Sequence, residues 1–284
     1  MRVGLFGASG FVGSVLRREA EERGIEAVCF SRRARMGFEV FQGPRDLEGL
    51  DAVVNLAGEP ILGIWTTPRR RKIVESRVVG TRRIVEALRG SSVRTLINAS
   101  AIGFYGDTGE EEVSEPSPAG RGFLSETCQA WESAAVKAEP LGVRVVRVRI
   151  GFVIGQGGAM ALIRPLFSAG AGGNLGSGQQ WMSCVHVEDV AGMILWALAT
   201  PEVSGPLNSV MPKPVRNAEF TKILAASLHR PAILPAPAFA LRLALGDLSH
   251  VMLDSVRVRP SVALQHGYPY RFPDLAAALR GAAS

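Results

Sequence analysis

The chain has 284 residues, enough to bury a large core, and its 47% hydrophobic and 20% charged residues indicate a globular protein rather than a disordered one. The net charge is +6, but the basic residues are spread along the chain and not gathered with aromatic residues, so we expect no nucleic acid partner. No apolar run is long enough for a membrane span, and the three cysteines are too far apart for a disulfide framework or a metal site. We therefore expect a cytoplasmic protein with no membrane partner and no bound metal.

Segments typical of strands and helices alternate through the first 200 residues. This pattern predicts an α/β fold with a doubly wound parallel sheet of the Rossmann type and helices on both faces. The predicted strands are 2–7, 26–30, 38–42, 51–56, 94–100 and 143–150. The predicted helices are 11–23, 68–89, 122–139 and 187–199, followed by 217–229 (with Asn217 as its N-cap), 236–248 and 273–280.

The first predicted strand runs into the glycine turn Gly7-Ala8-Ser9-Gly10-Phe11-Val12-Gly13, which opens a helix. Gly7 permits the sharp turn, Gly10 lets phosphates approach the backbone, and Gly13 lets the helix pack closely on the strand. Glycine turns also open strand–helix units that bind nothing, but this order places N–H groups and a helix dipole where a pyrophosphate binds. The residues predicted to bind there are Gly7, Ser9, Gly10, Phe11 and Val12.

The end of the second predicted strand indicates which dinucleotide is bound. Proteins that bind NAD usually have Asp or Glu there, which accepts a hydrogen bond from the ribose 2′-hydroxyl. This chain has Ser31-Arg32-Arg33, with Arg35 close behind. A guanidinium group suits a phosphate better than a hydroxyl, so we predict NADP as the cofactor, in preference to a solvated loop of arginines.

The composition of the sequence changes after residue 170. A glycine-rich loop at 172–178 is followed, later in the chain, by a proline-rich tail. We predict a nucleotide-binding Rossmann core of residues 1–155, to which residues 181–210 return. Residues 156–180 and 211–284 would form a smaller C-terminal cap domain that closes over the cofactor and the substrate. Ligands of such folds bind at the carboxyl ends of the strands, which the cap would cover.

Several motifs resemble the extended branch of the short-chain dehydrogenase/reductases, which includes the nucleotide-sugar epimerases. They are the glycine turn, the N-x-A-G motif Asn55-Leu56-Ala57-Gly58, the active-site strand 97–106 that ends in Tyr105-Gly106, and the stretch 149–155. A narrower match covers essentially the whole chain. Trp131-Glu132 and the string 180–189, with its Trp-x-Ser-x-x-His-x-x-Asp pattern, resemble an epimerase-family NADP-binding subgroup with a small C-terminal domain of unknown function.

This resemblance implies that particular residues contact NADP. A structural salt bridge between Glu59 and Arg77 is the alternative role for that pair. The residues implied are Ser31, Arg32, Leu56, Ala57, Gly58, Glu59, Arg77 and Val153.

The usual catalytic groups of the larger family are missing. That family uses a Ser or Thr, a Tyr, and a Lys four residues after the Tyr, which lowers the pKa of the tyrosine. No tyrosine here has a lysine four residues later, and the serine position aligns with Ala101, one place past Ser100. The helix that should provide Tyr and Lys has Cys128 and Trp131-Glu132 instead.

Four residues are candidate replacements. Glu132 and His186 are predicted proton donors, Tyr105 is a third, and Ser100 is predicted to hold a substrate oxygen. Each has a structural alternative: Glu132 in an ion pair with an arginine, and His186 bonded to a backbone group where it helps to seat Asp189 at a helix start.

Two functions follow from the sequence. The first is an NADP(H)-dependent oxidoreductase or epimerase that acts on a small polar molecule, with a sugar nucleotide as one candidate substrate. The second is a catalytically inactive NADP(H)-binding sensor or scaffold, which the missing Tyr and Lys favour. In either case a homodimer is compatible with the sequence.

Overall fold

A parallel sheet of seven strands lies at the centre of the computed structural model, which describes residues 1–282. The strands are β1 (Arg2–Phe6), β2 (Glu26–Ser31), β3 (Glu39–Val40), β4 (Ala52–Asn55), β5 (Thr95–Ala101), β6 (Glu112–Val113), β7 (Arg144–Ile150), β8 (Phe152–Ile154), β9 (Trp181–Met182), β10 (Cys184–His186), β11 (Gly205–Ser209), β12 (Val215–Arg216) and β13 (Arg257–Val258). The helices are α1 (Phe11–Glu22), α2 (Thr67–Ala87), α3 (Phe123–Val136), α4 (Met160–Ser168), α5 (Val187–Ala199), α6 (Asn217–Ser227), α7 (Ala238–Leu245), α8 (His250–Leu253), α9 (Ser261–Gln265) and α10 (Leu275–Gly281).

The order of the strands in the sheet is β11-β7-β5-β4-β1-β2-β3, and every neighbouring pair is parallel. The predicted doubly wound Rossmann sheet is therefore confirmed. The chain passes from β1 outward to β2 and β3, then returns to β4 on the other side of β1. This reversal places a crevice between the carboxyl ends of β1 and β4, where such sheets bind ligands.

Helices cover both faces of the sheet, which explains why its central strands are almost entirely apolar. One face packs against α1 and α5 around Leu16, Val54 and Ile194. The other face packs against α2 and α3 around Val53 and Ile84. Strand β11 was absent from the predicted elements because Gly-Pro-Leu-Asn-Ser lacks the β-branched run that marked the other strands.

A third apolar cluster lies outside the sheet and joins α4, α6 and α10 around Met160, Phe220 and Leu279. Here two details of the sequence-based prediction are wrong. Asn217 is the first helical residue of α6 and not its N-cap, because its side-chain oxygen instead accepts the Leu175 N–H at 2.8 Å. The helix predicted over 236–248 is shorter, since α7 ends before a 3₁₀ turn at Gly246–Ser249. Within residues 1–282, no helix is both long and apolar enough to cross a membrane.

The segment after α9 is fastened to the Rossmann sheet by Asp189, a fully buried residue in the first turn of α5. Its Oδ1 accepts the Tyr268 hydroxyl at 3.1 Å and the Arg271 N–H at 2.9 Å, and its Oδ2 accepts the Phe272 N–H at 2.9 Å. Arg271 also reaches the buried Glu19 of α1 at 2.9 Å. The carboxylate is thus a cross-link between α5 and the C-terminal residues.

We expect Asp189→Ala to lower the free energy of unfolding by about 3 kcal/mol or more, because two backbone N–H groups and a hydroxyl lose their acceptor in a buried place. The measurement is urea unfolding followed by circular dichroism. Glu48→Ala, which removes an exposed carboxylate, is the matched control and should change the stability little. A loss no larger than that of the control would contradict the assigned role.

Candidate nucleotide-binding and active site

The glycine turn after β1 is pressed against the loop after β4. Gly7 has a φ of +83°, and a Cβ on it would lie 2.7 Å from the carbonyl carbon of Leu56. A Cβ on Gly13 would lie 2.2 Å from the carbonyl oxygen of Gly7. Only glycine fits at these two positions, which fixes how α1 leaves the sheet.

The first turn of α1 is open at its N-terminus. Its N-cap is Gly10, and within residues 1–282 no side chain caps the helix, nor does its first turn contain an acidic residue. Helix geometry leaves the N–H groups of Phe11 and Val12 without an intrahelical acceptor, at the positive end of the dipole. Ser9 and Gly10 are exposed, so an anionic ligand has access to these donors.

The ring of Phe11 packs into the loop that follows β8. A Cβ on Gly155 would lie 2.7 Å from this ring, and one on Gly157 would lie 2.5 Å from it. The backbone N–H of Phe11 therefore lies at the open end of α1, while its ring holds the loop after β8 in place. Val153, the other predicted contact in this region, is half-buried in β8 and pairs with Val185 of β10.

The sheet register brings the predicted arginines to the glycine turn. Because Phe6 pairs with Phe30, Ser31 and Arg32 lie level with the first residues of the turn. Arg32 and Arg33 are exposed, and neither side chain has a hydrogen bond or an ion pair with any described residue. The Ser31 hydroxyl donates to the Arg33 carbonyl. Two unpaired guanidinium groups thus stand beside an open helix N-terminus.

Buried amides fix the loop of the N-x-A-G motif. The Asn55 side chain donates to Asn98 Oδ1 at 2.7 Å and to Thr81 Oγ1 at 2.9 Å, and its own oxygen accepts the Ala57 N–H at 3.2 Å. Trp131 donates its indole N–H to the same Thr81 hydroxyl at 3.0 Å. The backbone of Leu56 and Ala57 is therefore held in one conformation against the glycine turn.

The next loop residues are held by two arginines of α2. Arg77 donates to the Glu59 carbonyl oxygen at 3.0 Å and lies under Gly58, whose Cβ would be 3.1 Å from the guanidinium carbon. Burial lowers the pKa of Arg77, and its guanidinium lies 5.0 Å from the ring centroid of Trp131. The Glu59 carboxylate pairs with Arg69 at 2.8 Å. The alternative of a Glu59–Arg77 salt bridge is wrong, because Arg77 binds the backbone of Glu59 and not its carboxylate.

Three of the four candidate catalytic residues belong to one buried network. Arg149 binds both carboxylate oxygens of Glu132, at 2.8 and 2.9 Å, and donates to the Tyr105 hydroxyl at 2.9 Å. The Ser100 hydroxyl donates to Glu132 at 2.7 Å. The Tyr105 hydroxyl donates to Asn208 Oδ1 at 2.8 Å. All five side chains are buried.

This network follows from the register of three strands. Ser100 of β5, Arg149 of β7 and Asn208 of β11 are directly paired neighbours. Burial raises the pKa of Tyr105, so its hydroxyl keeps its proton at neutral pH. Burial likewise raises the pKa of Cys128 to about 11, which excludes a thiolate at this position of α3 at neutral pH. The alternative of a Glu132–arginine ion pair is present.

Sequence reasoning missed two members of this network. Asn208 lies in the strand that was not predicted, and Glu115, which accepts the Asn208 N–H at 3.1 Å, lies in a loop. Glu115 also accepts the N–H groups of Ser261 and Val262, so it ties the network to α9. The one available signal was a buried charge: β7 reads Arg-Val-Val-Arg-Val-Arg-Ile, and an arginine inside a core strand needs a carboxylate partner.

His186 lies apart from the other three candidates, at the start of α5. It is buried and serves as the N-cap, with its Nδ1 accepting the Glu188 N–H at 3.3 Å. Its Nε2 has no hydrogen-bond partner among the described residues, and its ring centroid lies 3.9 Å from that of Phe272. Burial lowers the pKa of His186, so the ring is neutral. These contacts favour its structural alternative, and its catalytic role stays a prediction.

Comparison with known proteins places the chain in a family. Residues 3–210 match the model of the NAD dependent epimerase/dehydratase family. The chain belongs to this family. Residues 236–282 match a domain of unknown function, DUF1731. The resemblance inferred from the sequence motifs is thereby confirmed.

Individual relatives agree with this assignment. The epimerase family protein SDR39U1 homolog, chloroplastic, of Arabidopsis thaliana is 37% identical over 99% of this chain and 86% of its own length. The crystal structure of human epimerase family protein SDR39U1 (isoform 2) with NADPH has a TM-score of 0.93 and 32% identity, over 100% of both chains. That of a nucleoside-diphosphate sugar epimerase from Corynebacterium glutamicum has a TM-score of 0.84 and 32% identity, over 99% of this chain and 57% of the other.

The buried neutral His186 makes the stability of this family member depend on pH. Its pKa in the folded protein is below that of the unfolded chain, about 6.5, so the unfolded chain binds more protons as the pH falls below that value. The contribution of neutral His186 to stability is fully present above a pH of about 6.5. Below that pH the free energy of unfolding falls by up to about 1.4 kcal/mol per pH unit.

Urea unfolding between neutral and mildly acidic pH tests this expectation. His186→Asn keeps a side-chain acceptor at the N-cap but does not titrate, so its stability should fall less steeply with pH than that of the parent protein. His266→Asn, at an exposed position, is the matched control. Equal pH slopes for the parent and His186→Asn would show that His186 does not contribute the dependence.

Proposed function

We propose that this protein is an NADP(H)-dependent oxidoreductase or epimerase that acts on a small polar substrate, with a sugar nucleotide as one candidate. The human relative was crystallised with NADPH, and the C. glutamicum relative is named as a nucleoside-diphosphate sugar epimerase. Both names support the proposal by similarity. The residues of this chain supply the more direct support.

One observation supports the cofactor most strongly: two unpaired arginines beside an open helix N-terminus. The exposed N–H donors of the first turn of α1 suit a pyrophosphate. Arg32 and Arg33 suit a 2′-phosphate, and the first acidic residue after β2 is Glu39, so this strand end has no carboxylate to bind a ribose 2′-hydroxyl. The residues present therefore fit NADP better than NAD.

The carboxyl ends of β5 and β7 are where the chemistry would occur. When bound, the nicotinamide supplies or accepts a hydride at a substrate carbon. Arg149 and Glu132 hold these strand ends together, and Tyr105 and Ser100 are the members of the network that have hydroxyl protons. Either hydroxyl must exchange one internal hydrogen bond for the substrate before it can transfer a proton.

The same requirement favours the second candidate, an inactive NADP(H)-binding sensor or scaffold. The hydroxyls of Ser100 and Tyr105 and the Glu132 carboxylate are each bonded within the protein. A protein that had lost its chemistry would keep this network for stability and would signal cofactor binding through its cap. Turnover distinguishes the two candidates.

Arg32→Asp is expected to weaken NADPH binding by about 10- to 100-fold, because it replaces a charged donor to phosphate with a repelling carboxylate. Isothermal titration calorimetry with NADPH and NADH measures the effect, and the affinity for NADH should not fall. Arg83→Asp makes the same charge change on an exposed part of α2 and should leave NADPH binding unchanged. If the parent protein bound NADH as tightly as NADPH, the assignment of NADP would be refuted.

The proposed enzyme, as an oxidoreductase, should oxidise NADPH in the presence of at least one member of a panel of sugar nucleotides and small carbonyl compounds, followed by absorbance at the nicotinamide band. As an epimerase it would instead interconvert two sugar nucleotides with no net oxidation of NADPH, followed by chromatography of the sugar nucleotides. Tyr105→Phe and Ser100→Ala should each slow this turnover while NADPH binding by calorimetry is retained. Tight NADPH binding with no turnover on the whole panel, together with cofactor-dependent hydrogen exchange in residues 211–282, would instead support the sensor.

A further inference from the structure

Exposed apolar side chains are concentrated in one stretch of the cap, between Arg230 and Leu245. Ile233 is 74% exposed, Leu234 57%, Phe239 74% and Leu243 87%. Helix α7 contains the last two of these on one face, four residues apart, and has no buried residue. Helices on the surface of a globular domain normally bury an apolar stripe. In α7 the side chains of Leu241 and Leu245 are half-buried, but the face of Phe239 and Leu243 is uncovered.

These exposures are too high for side chains that line a substrate cleft. A residue in the wall of a pocket is partly covered by its neighbours, whereas Leu243 is almost as accessible as in an extended chain. What covers these side chains must therefore come from outside the molecule. Single exposed leucines are ordinary, but four large apolar residues within eleven positions are not.

A groove lies directly beside this stretch. It has a volume of about 430 Å³ and is lined by residues of α6 together with Asn174, Arg230 and Ala232, with Lys222 and Arg230 as its charged groups. Lys222 is exposed and has no side-chain partner among the described residues. Arg230 uses only its Nε, which donates to the Ser168 carbonyl at 2.9 Å, so its two terminal nitrogens remain available.

The stretch itself contains only basic charged residues. Residues 220–246 contain Lys222, Arg230 and Arg242 and no aspartate or glutamate, and the acids Glu219 and Asp247 lie at its two margins. In a two-fold dimer built on this face, the three cations of one copy would lie near those of the other, with acids only at the margins of the stretch. A stripe of two side chains on an eight-residue helix is also small against the roughly 800 Å² per partner of a standard interface. A second copy is therefore a poor occupant.

We propose that this face of the cap docks on the surface of an anionic phospholipid bilayer. Ile233, Leu234, Phe239 and Leu243 enter the boundary between headgroups and acyl chains. Arg242 flanks the apolar stripe of α7, and lipid phosphates lie in the groove against Lys222 and Arg230. Exposed apolar side chains combined with flanking cations are the features that place a helix in the membrane interface.

This docking is peripheral and needs no membrane-spanning segment. It departs from the sequence-based expectation of no membrane partner, which rested on the missing long apolar run. It is also independent of the proposed reaction, because none of its residues belongs to the glycine turn or to the buried network. A failure of one proposal therefore leaves the other standing.

Co-sedimentation of the full chain with vesicles tests the proposal, with phosphatidylcholine alone compared with phosphatidylcholine mixed with phosphatidylglycerol. The parent protein should sediment with the anionic vesicles only. Lys222→Glu and the double variant Phe239→Ser/Leu243→Ser should each weaken partitioning about tenfold. Arg83→Glu and Ile64→Ser make the same changes at exposed positions outside the cap and should not weaken it.

Folding of each variant is checked by its thermal midpoint and its NADPH affinity, and Leu243→Ser alone serves if the double variant is unstable. Equal weakening by Arg83→Glu and Lys222→Glu would mean attraction by the net charge of +6 alone, which overturns the proposal. A second result would also overturn it: no variant binds vesicles, and sedimentation equilibrium shows a dimer that Phe239→Ser/Leu243→Ser dissociates. Binding of soluble glycerol phosphate without vesicle binding would assign the groove to a free phosphate compound instead.

Discussion

The close contact between the backbone of the glycine turn and the loop after β4 is the constraint on which the site depends. With Gly7 against Leu56 and Gly13 against the Gly7 carbonyl, there is no room for a side chain between α1, β1 and β4. This contact aims the open end of α1 into the crevice at the point where the strand order reverses. The register between β1 and β2 then places the arginines level with the same turn, so N–H donors and cations lie at one edge of the sheet.

A second constraint is the buried charge of Arg149 in β7, three strands from β1, which requires polar partners around it. Arg149 is taken out of water inside β7, which costs free energy unless its donors are matched. Glu132, the Tyr105 hydroxyl and the Glu115 carbonyl provide that match. By the resemblance drawn from the sequence motifs, the same groups lie in the region that the wider family uses for proton transfer. Their mutual satisfaction explains how this region keeps its shape without the Tyr and Lys pair of the wider family.

The sequence predicted those parts of the fold that depend on the local pattern of residues. Apolar runs marked six of the seven sheet strands, and the glycine spacing marked the turn after β1. Strand β11 was missed because its β structure is imposed by pairing with β7 rather than by its own residues. The N-cap role predicted for Asn217 was wrong because an asparagine at a helix start can equally accept a hydrogen bond from a distant N–H group, here that of Leu175. The partners of Glu132 and Glu59 also depend on tertiary contacts, which no spacing along the chain encodes.

The string that contains His186 and Asp189 shows how a motif with catalytic residue types can have a structural role. Its histidine caps α5 and packs against the ring of Phe272, and its aspartate binds the backbone of residues 271 and 272. Both side chains therefore fasten the C-terminal segment to the sheet that presents the glycine turn. α10, which follows that segment, packs with α6, the helix that contains Lys222. The helix that contains Lys222 is thus connected, through α10 and the C-terminal segment, to the sheet that presents the nucleotide crevice. These contacts would relate the orientation of the crevice to any surface on which the cap docks.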